Sequence, residues 1–407
     1  MKVLQCHNLY RQPGGEDRVV EDEKRLLEEH GHEVVSFTLH NDQVADLSKP
    51  RLAAGTVWSR RSARALRELV RRERPDIAHF HNTLPLMSPS SYYAVRGEGV
   101  PVVQTLHNYR LLCPKATFFR DNRVCEDCLT KKIKWPAVVH GCYRDSRSAS
   151  AAVAAMLTVH GVAGTYRRAI DAYIVCSEFT QQKLIQGGYP ADRLHYKPNF
   201  VTDDPGVGSG GGGYPLYVGR LSSEKGIEVL ARAWELLPDT PLHLVGQGPM
   251  SPMVEDLKAR RPRIVHHAYV EFAELQKIMA DAAFIVLPSM TYEGFPKVIA
   301  EAYSHGVPVV ATDTGAMTHI VVEGVTGRRF GYGDAEGLAT IVRELMGDPD
   351  QVLRLRRGAR TAYETAYTAD ANYRRLLEIY RHAQQRFQRS AAASPSTPPA
   401  RPRSAAG

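Results

Sequence analysis

The sequence predicts two doubly wound α/β domains that face each other across a cleft. Short apolar runs rich in Val and Ile alternate with longer amphipathic stretches, which is the pattern of a parallel sheet with crossover helices. The alternation stops at a segment of Asp, Pro, Ser and Gly from Thr202 to Gly213, and then starts again. The chain has 407 residues, more than one hydrophobic core usually organises. Two domains joined by a linker follow from these three observations.

Five strands are predicted in the first half of the chain, with helices between them. Ser177 follows the last strand and is placed to cap a helix that ends near Gly187 and Gly188. We therefore expect residues 1–200 to form an N-terminal domain. Its predicted strands are Lys2 to Cys6, Glu33 to Thr38, Ile77 to His81, Val102 to Leu106 and Ala172 to Cys176.

The same alternation in the second half predicts a second domain, residues 214–368, after a linker at residues 201–213. A terminal helix, residues 369–389, is predicted from apolar positions at helical spacing. The Ser-, Ala- and Pro-rich tail, residues 390–407, is predicted to be disordered. In the second domain the predicted strands are 216–218, 242–245, 264–267, 284–287 and 308–311, and the predicted helices are 227–236, 271–279 and 297–303.

Composition and charge exclude several classes of protein. No apolar run approaches the roughly 20 residues that span a bilayer. The start of the chain lacks the features of a secretory signal, so we expect a cytoplasmic protein. The formal charge of +8 permits an anionic partner, but the sequence contains no helix-turn-helix, zinc-finger or RNA-binding signature, so no nucleic-acid partner is expected.

A glycine-bordered turn, GRLSSEKG from Gly219 to Gly226, follows a predicted strand and opens a helix. Its backbone amides, with Arg220 and Lys225, can bind an anion such as a pyrophosphate. The alternative is that both side chains are solvated loop charges. Gly246 and Gly248 form a second glycine turn after the next strand, VGQGP.

Two glutamates occur eight residues apart, Glu293 and Glu301, beside Gly294 and Phe295. Eight residues are a little over two helical turns, so both carboxylates can face one cleft if Glu293 lies at the mouth of the helix. Glu301 lies in an apolar run, where a charge is costly unless it finds donors such as ligand hydroxyls. Alternatively, a backbone or Arg partner satisfies Glu301, and Glu293 is an exposed charge.

Together these motifs resemble the family-4 retaining glycosyltransferases, which have the GT-B fold of two Rossmann-like doubly wound domains. The resemblance covers about residues 1–385. Each motif alone is modest, but the set is specific. It comprises the Glu293/Glu301 pair, Arg220 and Lys225 in GRLSSEKG, the VGQGP turn, LPSMTYEGFP with EAYSHGVPVVATDTGA, Gly14-Gly15-Glu16, His79-Phe80-His81-Asn82 and Thr105-Leu106-His107-Asn108.

The resemblance implies transfer of a sugar from a nucleoside diphosphate sugar with retention of configuration. It implies that Arg220 and Lys225 hold the pyrophosphate and that Glu301 holds the ribose hydroxyls. Glu293, with the amides of Gly294 and Phe295, would hold the transferred sugar. His107 would face that sugar, and Gly14 and Gly15 would approach the phosphates or the acceptor. The expected acceptors are a glycan, a lipid-linked glycan or a small metabolite, with bacterial cell-surface glycans favoured.

Pro296 and Lys297 depart from the pair that many members carry, which leaves the donor open. No catalytic metal is expected, because cationic side chains and amides can stabilise the departing phosphate. Asp348-Pro349-Asp350 resembles a metal-binding motif but is interpreted as a helix-capping turn. The rival functions are a GT-B sugar-nucleotide epimerase and a non-catalytic nucleotide-sugar-binding subunit.

Four of the six cysteines lie in a polar insert, residues 113–142: Cys113, Cys125, Cys128 and Cys142. A CxxC pair with single cysteines on either side can supply four thiolates to a structural zinc ion. Free buried thiols and redox or disulfide chemistry are the alternatives. Because it follows His107 closely, we expect the insert to shape the acceptor side.

Arginines recur every three or four residues from Arg60 to Arg74, with Trp58 just ahead of them. They form either a solvated helix face or a surface that docks on anionic lipid. The second interpretation would place the protein peripherally on the inner face of the membrane.

Overall fold

The computed structural model describes residues 1–11 and 14–392, and its first half folds around a six-stranded parallel sheet in the order β2-β1-β3-β4-β7-β8. Residues of β3, β4 and β7 are buried throughout, as expected for strands covered on both faces by helices. Two more strands, β5 and β6, form a small hairpin inside the predicted insert. The strands are β1 (Lys2–Leu9), β2 (Glu33–His40), β3 (Ile77–Phe80), β4 (Val102–Leu106), β5 (Phe119–Arg120), β6 (Arg123–Val124), β7 (Ala172–Val175) and β8 (Leu194–Tyr196).

In the described part of this half, eight α-helices accompany these strands. Ser177 caps α8 by accepting a hydrogen bond from the Thr180 amide, as predicted. The helices are α1 (Gly15–Glu29), α2 (Lys49–Val57), α3 (Arg60–Glu73), α4 (Ser90–Arg96), α5 (Trp135–Val139), α6 (Arg147–Val162), α7 (Thr165–Arg168) and α8 (Glu178–Gln186).

A second six-stranded parallel sheet, in the order β11-β10-β9-β12-β13-β14, organises the rest. Its strands are β9 (Pro215–Val218), β10 (Leu242–Val245), β11 (Ile264–His267), β12 (Phe284–Leu287), β13 (Val309–Thr312) and β14 (Gly327–Phe330). The helices are α9 (Ile227–Glu235), α10 (Ser251–Arg260), α11 (Phe272–Asp281), α12 (Lys297–Ser304), α13 (Met317–Ile320), α14 (Ala335–Gly347), α15 (Pro349–Ala362) and α16 (Ala369–Ala392). The fold is therefore the predicted pair of doubly wound α/β domains.

The linker is held against the C-terminal domain. The Gly208 amide donates to His305 O at 2.9 Å, and the buried guanidinium of Arg356 donates to Gly208 O at 2.6 Å. A Cβ on Gly208 would lie 2.3 Å from Ala280 O, so this close approach requires glycine. The segment has no regular secondary structure, yet its path is fixed by these contacts.

Helix α16 returns to the N-terminal domain after one π-helical turn, Tyr363–Tyr367. Its apolar residues Leu376, Ile379 and Tyr380 pack against strands of the first sheet in one buried cluster. The helix extends to Ala392, three residues beyond the predicted end, so residues 390–392 are helical where disorder was predicted. The remainder of the predicted tail, residues 393–407, lies outside the described residues. No described helix combines the length and apolar character that crossing a membrane requires.

Candidate active site

A cavity of about 500 Å³ lies between the two domains. In each sheet the strand order reverses beside the first strand of the domain, and loops from the carboxyl ends of the strands line the cavity there. The structure brings seven of the predicted site residues into this one lining: Gly14, Gly15, His107, Lys225, Glu293, Phe295 and Glu301.

On the N-terminal side, the cavity is bordered by the start of helix α1. Gly14 is the N-cap and Gly15 the first residue of this helix, and the backbone amides of its first turn have no partner within the helix. The Gly14 amide itself donates to Asp17 Oδ2 at 2.8 Å. A helix start of this kind favours an anionic group.

On the C-terminal side, Lys225 extends from the loop that opens α9. Its Nζ lies 2.7 Å from Glu293 Oε1, which also accepts a hydrogen bond from Ser289 Oγ at 2.8 Å. Arg220 is exposed next to Gly219 and is not part of the lining. Of this pair of cations, Lys225 is thus the one that lines the cavity.

Gly246 and Gly248 do not line the cavity but support the loop that does. A Cβ on Gly246 would lie 1.9 Å from Gly219 O, and one on Gly248 would lie 2.3 Å from Leu221 O. The Leu221 amide donates to Gln247 O between them. The two glycines therefore let the second turn pack directly beneath GRLSSEKG.

Glu293 lies in the loop between β12 and α12, four residues before the helix begins at Lys297, and not at its mouth as supposed from the spacing. Hydrogen bonds across the domain boundary hold this loop. Tyr109 Oη donates to Glu293 O at 3.0 Å, and Asn199 Nδ2 donates to Phe295 O at 2.9 Å. The backbone at Gly294 also approaches the N-terminal domain closely. A Cβ added at Gly294 would lie 3.0 Å from His107 O.

Glu301 is in α12, with its side chain 13% exposed toward the cavity. Burial raises the pKa of its carboxyl. Its ion-pair partner is Lys297 at 3.9 Å, and no hydrogen bond to its carboxylate occurs among the described residues. Lys297 pairs more closely with Asp22 of α1, across the domain boundary. Glu301 is therefore a mostly buried carboxylate with one long ion pair and, among the described residues, no hydrogen-bond donor.

His107 is half-buried and faces the cavity from the end of β4. Its Nε2 lies 3.1 Å from Nδ1 of His81, and the two rings are stacked. Burial lowers the pKa of His107 to about 4, and burial lowers that of His81 as well. Both imidazoles are therefore neutral at neutral pH, so His107 can offer a hydrogen bond without carrying charge.

Behind these rings lies a buried cluster that sequence reasoning did not identify: Glu23, His79, His81 and Lys197. Glu23 Oε1 is 2.8 Å from His79 Nδ1 and 3.5 Å from His81 Nε2, while Oε2 accepts from Lys197 Nζ at 2.9 Å. Among the described residues, Glu23, His79 and His81 are the one group whose ligand atoms are close enough for a metal. The Lys197 ammonium already neutralises the carboxylate, so we interpret the cluster as the support that orients His81 and, through it, His107.

Two family models match the chain. Residues 13–204 match the model described as Glycosyltransferase Family 4, and residues 213–348 match that described as Glycosyl transferases group 1. The chain is 28% identical over 350 residues to the glycogen synthase of Mycobacterium tuberculosis, covering 80% of this chain and 72% of that protein. It is 31% identical over 199 residues to the sulfoquinovosyl transferase SQD2 of Arabidopsis thaliana, covering 44% of this chain and 39% of that protein.

Solved structures with the same two-domain architecture superpose on nearly the whole chain. Sucrose-phosphate synthase from Thermosynechococcus elongatus gives a TM-score of 0.68 at 16% identity, covering 97% of this chain and 100% of that one. Anabaena HepE in complex with UDP-glucose gives 0.63 at 19% identity, with 97% and 100% covered. The fold is GT-B, and the chain belongs to the family-4 glycosyltransferases.

Proposed function

We propose that this enzyme transfers a sugar from a nucleoside diphosphate sugar to an acceptor hydroxyl with retention of configuration and without a catalytic metal. The observation that carries the proposal is Glu301, a carboxylate buried in the cavity with no hydrogen-bond donor among the described residues. Burying a charge in this way is costly unless a ligand supplies donors. The ribose hydroxyls of a nucleotide are suitable donors.

The other groups around the cavity fit the rest of such a donor. Lys225 and the amides at the start of α1 supply positive charge for a pyrophosphate, and Arg220 at the rim can turn toward it. Glu293 and the backbone at Gly294 and Phe295 lie beside Lys225, where the transferred sugar would be held. HepE, a structural neighbour, was solved with UDP-glucose, which supports a nucleotide sugar as donor here.

In the proposed reaction, the bond between the sugar and the diphosphate breaks, and a new glycosidic bond forms to the acceptor oxygen on the same face. The acceptor proton passes to the departing phosphate. Negative charge develops on that phosphate, where Lys225 and the α1 amides stabilise it. Neutral His107 donates a hydrogen bond to the sugar without competing for the phosphate.

A thermal-shift panel of UDP-, GDP-, ADP- and dTDP-sugars in EDTA tests donor binding. A ligand at a hundred times its dissociation constant should add about 2.7 kcal/mol of stability. We expect one nucleotide to shift the wild type and Glu336→Gln, an exposed control on α14, but to shift Glu301→Ala much less. The absence of a shift with any nucleotide would contradict the proposal. Donor consumption without acceptor would favour the epimerase, and binding without turnover would favour the non-catalytic subunit.

A second observation bears on the acceptor, for which we propose a lipid-linked glycan of a bacterial cell surface. A cavity of about 700 Å³ lies between α2 and α3, lined by apolar side chains including Leu39, Leu52 and Leu86, with Arg51 and Arg60 beside them. Trp58 in this lining is 48% exposed. An apolar surface edged with cations fits a lipid with an anionic headgroup.

Liposome flotation tests this acceptor class and the peripheral membrane location together. Arg67 and Arg71 on α3 are paired with Glu98, so the basic residues beside the cavity are the ones to change. We expect the wild type to float with anionic vesicles and Arg51→Gln/Arg60→Gln to float less, with Arg343→Gln as the control. Equal recovery with neutral vesicles would contradict a lipid-linked acceptor held in this way.

A further inference from the structure

The insert brings its four cysteines to a single small cavity. Cys113, Cys125, Cys128 and Cys142 all line a space of about 20 Å³, enough for one atom the size of a water oxygen. The hairpin β5–β6 and the short helix α5 separate them along the chain. All four thiols are free in this structure, so no disulfide accounts for their convergence.

Backbone amides point at two of these sulfurs. The Asp127 amide donates to the sulfur of Cys125, two residues earlier, and the Ala137 amide donates to the sulfur of Cys128. Hydrogen bonds of this kind are strong when the acceptor is an anion and weak when it is a neutral thiol. Each amide partly offsets the effect of burial, which favours the neutral thiol at Cys125 and Cys128.

Lys134 supplies an independent indication of negative charge at this place. Its side chain is only 7% exposed, and its ammonium donates to the carbonyl oxygens of Cys128 and Leu129, at 2.7 and 3.5 Å. Among the described residues no carboxylate lies within 4.0 Å of it. A buried cation needs a compensating charge. Arg120, which also lines the cavity, is already paired with Asp121 and Asp127, so the uncompensated cation is Lys134. Four thiolates around one divalent cation carry a net charge of −2.

We propose that Cys113, Cys125, Cys128 and Cys142 bind one zinc ion through four thiolates. A tetrahedral thiolate site has Zn–S distances of about 2.3 Å. Among the described residues, no three of the four sulfurs lie within 4.8 Å of one another. Binding must therefore draw the loops that carry the cysteines inward around the cavity.

The insert also contacts the C-terminal domain near the mouth of the active-site cavity. Thr291 Oγ1 donates to Thr117 O, and Ser223 Oγ donates to Asn122 Oδ1 at 3.0 Å. Ser223 belongs to the same loop as Lys225. Zinc would therefore hold the insert in the conformation that contacts the C-terminal domain, whichever sugar or acceptor the enzyme uses.

Metal analysis of the full-length protein tests the site. We expect one zinc per chain in the wild type and in Cys6→Ala, a control at a buried cysteine of β1, and a substoichiometric amount in Cys125→Ser. A wild type without zinc, or with iron in its place, would overturn the proposal.

Two measurements on the wild type keep the test decisive if Cys125→Ser fails to fold. Modification of the thiols with an organomercurial should release zinc to a chromophoric chelator in step with the sulfurs modified. Replacement by Co²⁺ should produce the absorption bands of a tetrahedral thiolate complex. Zinc that remains bound after all six thiols have reacted, or octahedral cobalt, would contradict a four-cysteine site. Neither readout depends on donor binding or transfer.

Discussion

Lys225 Nζ lies 2.7 Å from Glu293 Oε1, so the cation proposed to bind a pyrophosphate is paired with the carboxylate proposed to bind the sugar. Both side chains are partly shielded, with Lys225 32% and Glu293 14% exposed. A bound donor must separate them, because its phosphates compete for the ammonium. If the donor binds as proposed, the pair couples donor entry to the release of Glu293.

Substituting Lys225 and Glu293 one at a time should have different effects on donor binding and on sugar transfer. Lys225→Met should weaken nucleoside diphosphate binding by roughly 10- to 150-fold, the equivalent of about 1.5–3 kcal/mol for a lost charged hydrogen bond. Glu293→Gln should retain or tighten nucleotide binding, since Lys225 is freed, while transfer is lost. Calorimetric titration and turnover assays measure the two effects, with Lys277→Met as an exposed-lysine control. Equal loss of binding in both variants would contradict the competition.

Glu301→Gln should stabilise the ligand-free enzyme at neutral pH and weaken donor binding. Burial raises the pKa of Glu301, so the folded state holds the proton more tightly than the unfolded state. Glu301 therefore lowers the free energy of unfolding as the pH rises from about 4.3, the pKa of a glutamate in the unfolded state, through the pKa of Glu301 in the folded state. The melting temperature of Glu301→Gln should exceed that of the wild type at neutral pH, and the difference should disappear near pH 4. A variant less stable than the wild type at neutral pH would refute this.

Glu23→Gln should destabilise the enzyme by about 3–5 kcal/mol, because it leaves the Lys197 ammonium buried without its partner. Although burial opposes ionisation, Lys197 and the neighbouring histidines hold the pKa of Glu23 well below its usual range. Its contribution is present above the unfolded pKa and is lost as pH falls through the folded value. Chemical denaturation against pH measures this. Glu73→Gln, which breaks a more exposed pair with Lys2, should have a much smaller effect on stability.

The double substitution Glu23→Gln/Lys197→Met should recover part of that loss, since no buried charge remains unpaired. The turnover of this variant should still be reduced if Glu23 orients His81 and His107. Full turnover in a stable double variant would show that the cluster has only a structural role.

Gly246→Ala should cost more than about 1 kcal/mol and weaken donor binding, because its φ of 146° and its contact with Gly219 O leave no room for a Cβ. Gly347→Ala, whose Cβ would meet nothing within 4 Å, is the matched control and should be neutral or slightly stabilising. Urea unfolding and nucleotide titration measure both effects. An unchanged donor affinity in Gly246→Ala would contradict the inference that this glycine supports the loop that carries Lys225.

Strong local patterns made the buried strands predictable, and the strand Val102–Leu106 is confirmed residue for residue. Strands β8 and β14 escaped prediction because they are short, lie at sheet edges and include polar residues, as in Gly-Arg-Arg-Phe of β14. At a sheet edge the flanking helices cover less of a strand, and in β14 only Gly327 and Phe330 are buried, so the apolar pattern is weak. The motifs predicted seven residues of the cavity lining because each motif follows a strand of a parallel sheet.

The cluster behind His107 could not be predicted in the same way. Glu23 and Lys197 are 174 residues apart in sequence, and their pairing depends on where α1 and the end of β8 meet. The one local indication of the cluster is that a glutamate, Glu23, lies on the buried face of α1. Lys297 is a similar case, because its pairing with Asp22 appears only when the two domains are in contact.

The chain passes between the domains twice, and the two passages lie side by side. Val201, before the linker, forms a bridge with Thr368, before α16, and its amide donates to Tyr367 O at 3.1 Å. Two adjacent tethers at one edge restrict how the two domains can move relative to each other more than a single tether would. A cut in the linker alone would leave the halves joined through the second tether.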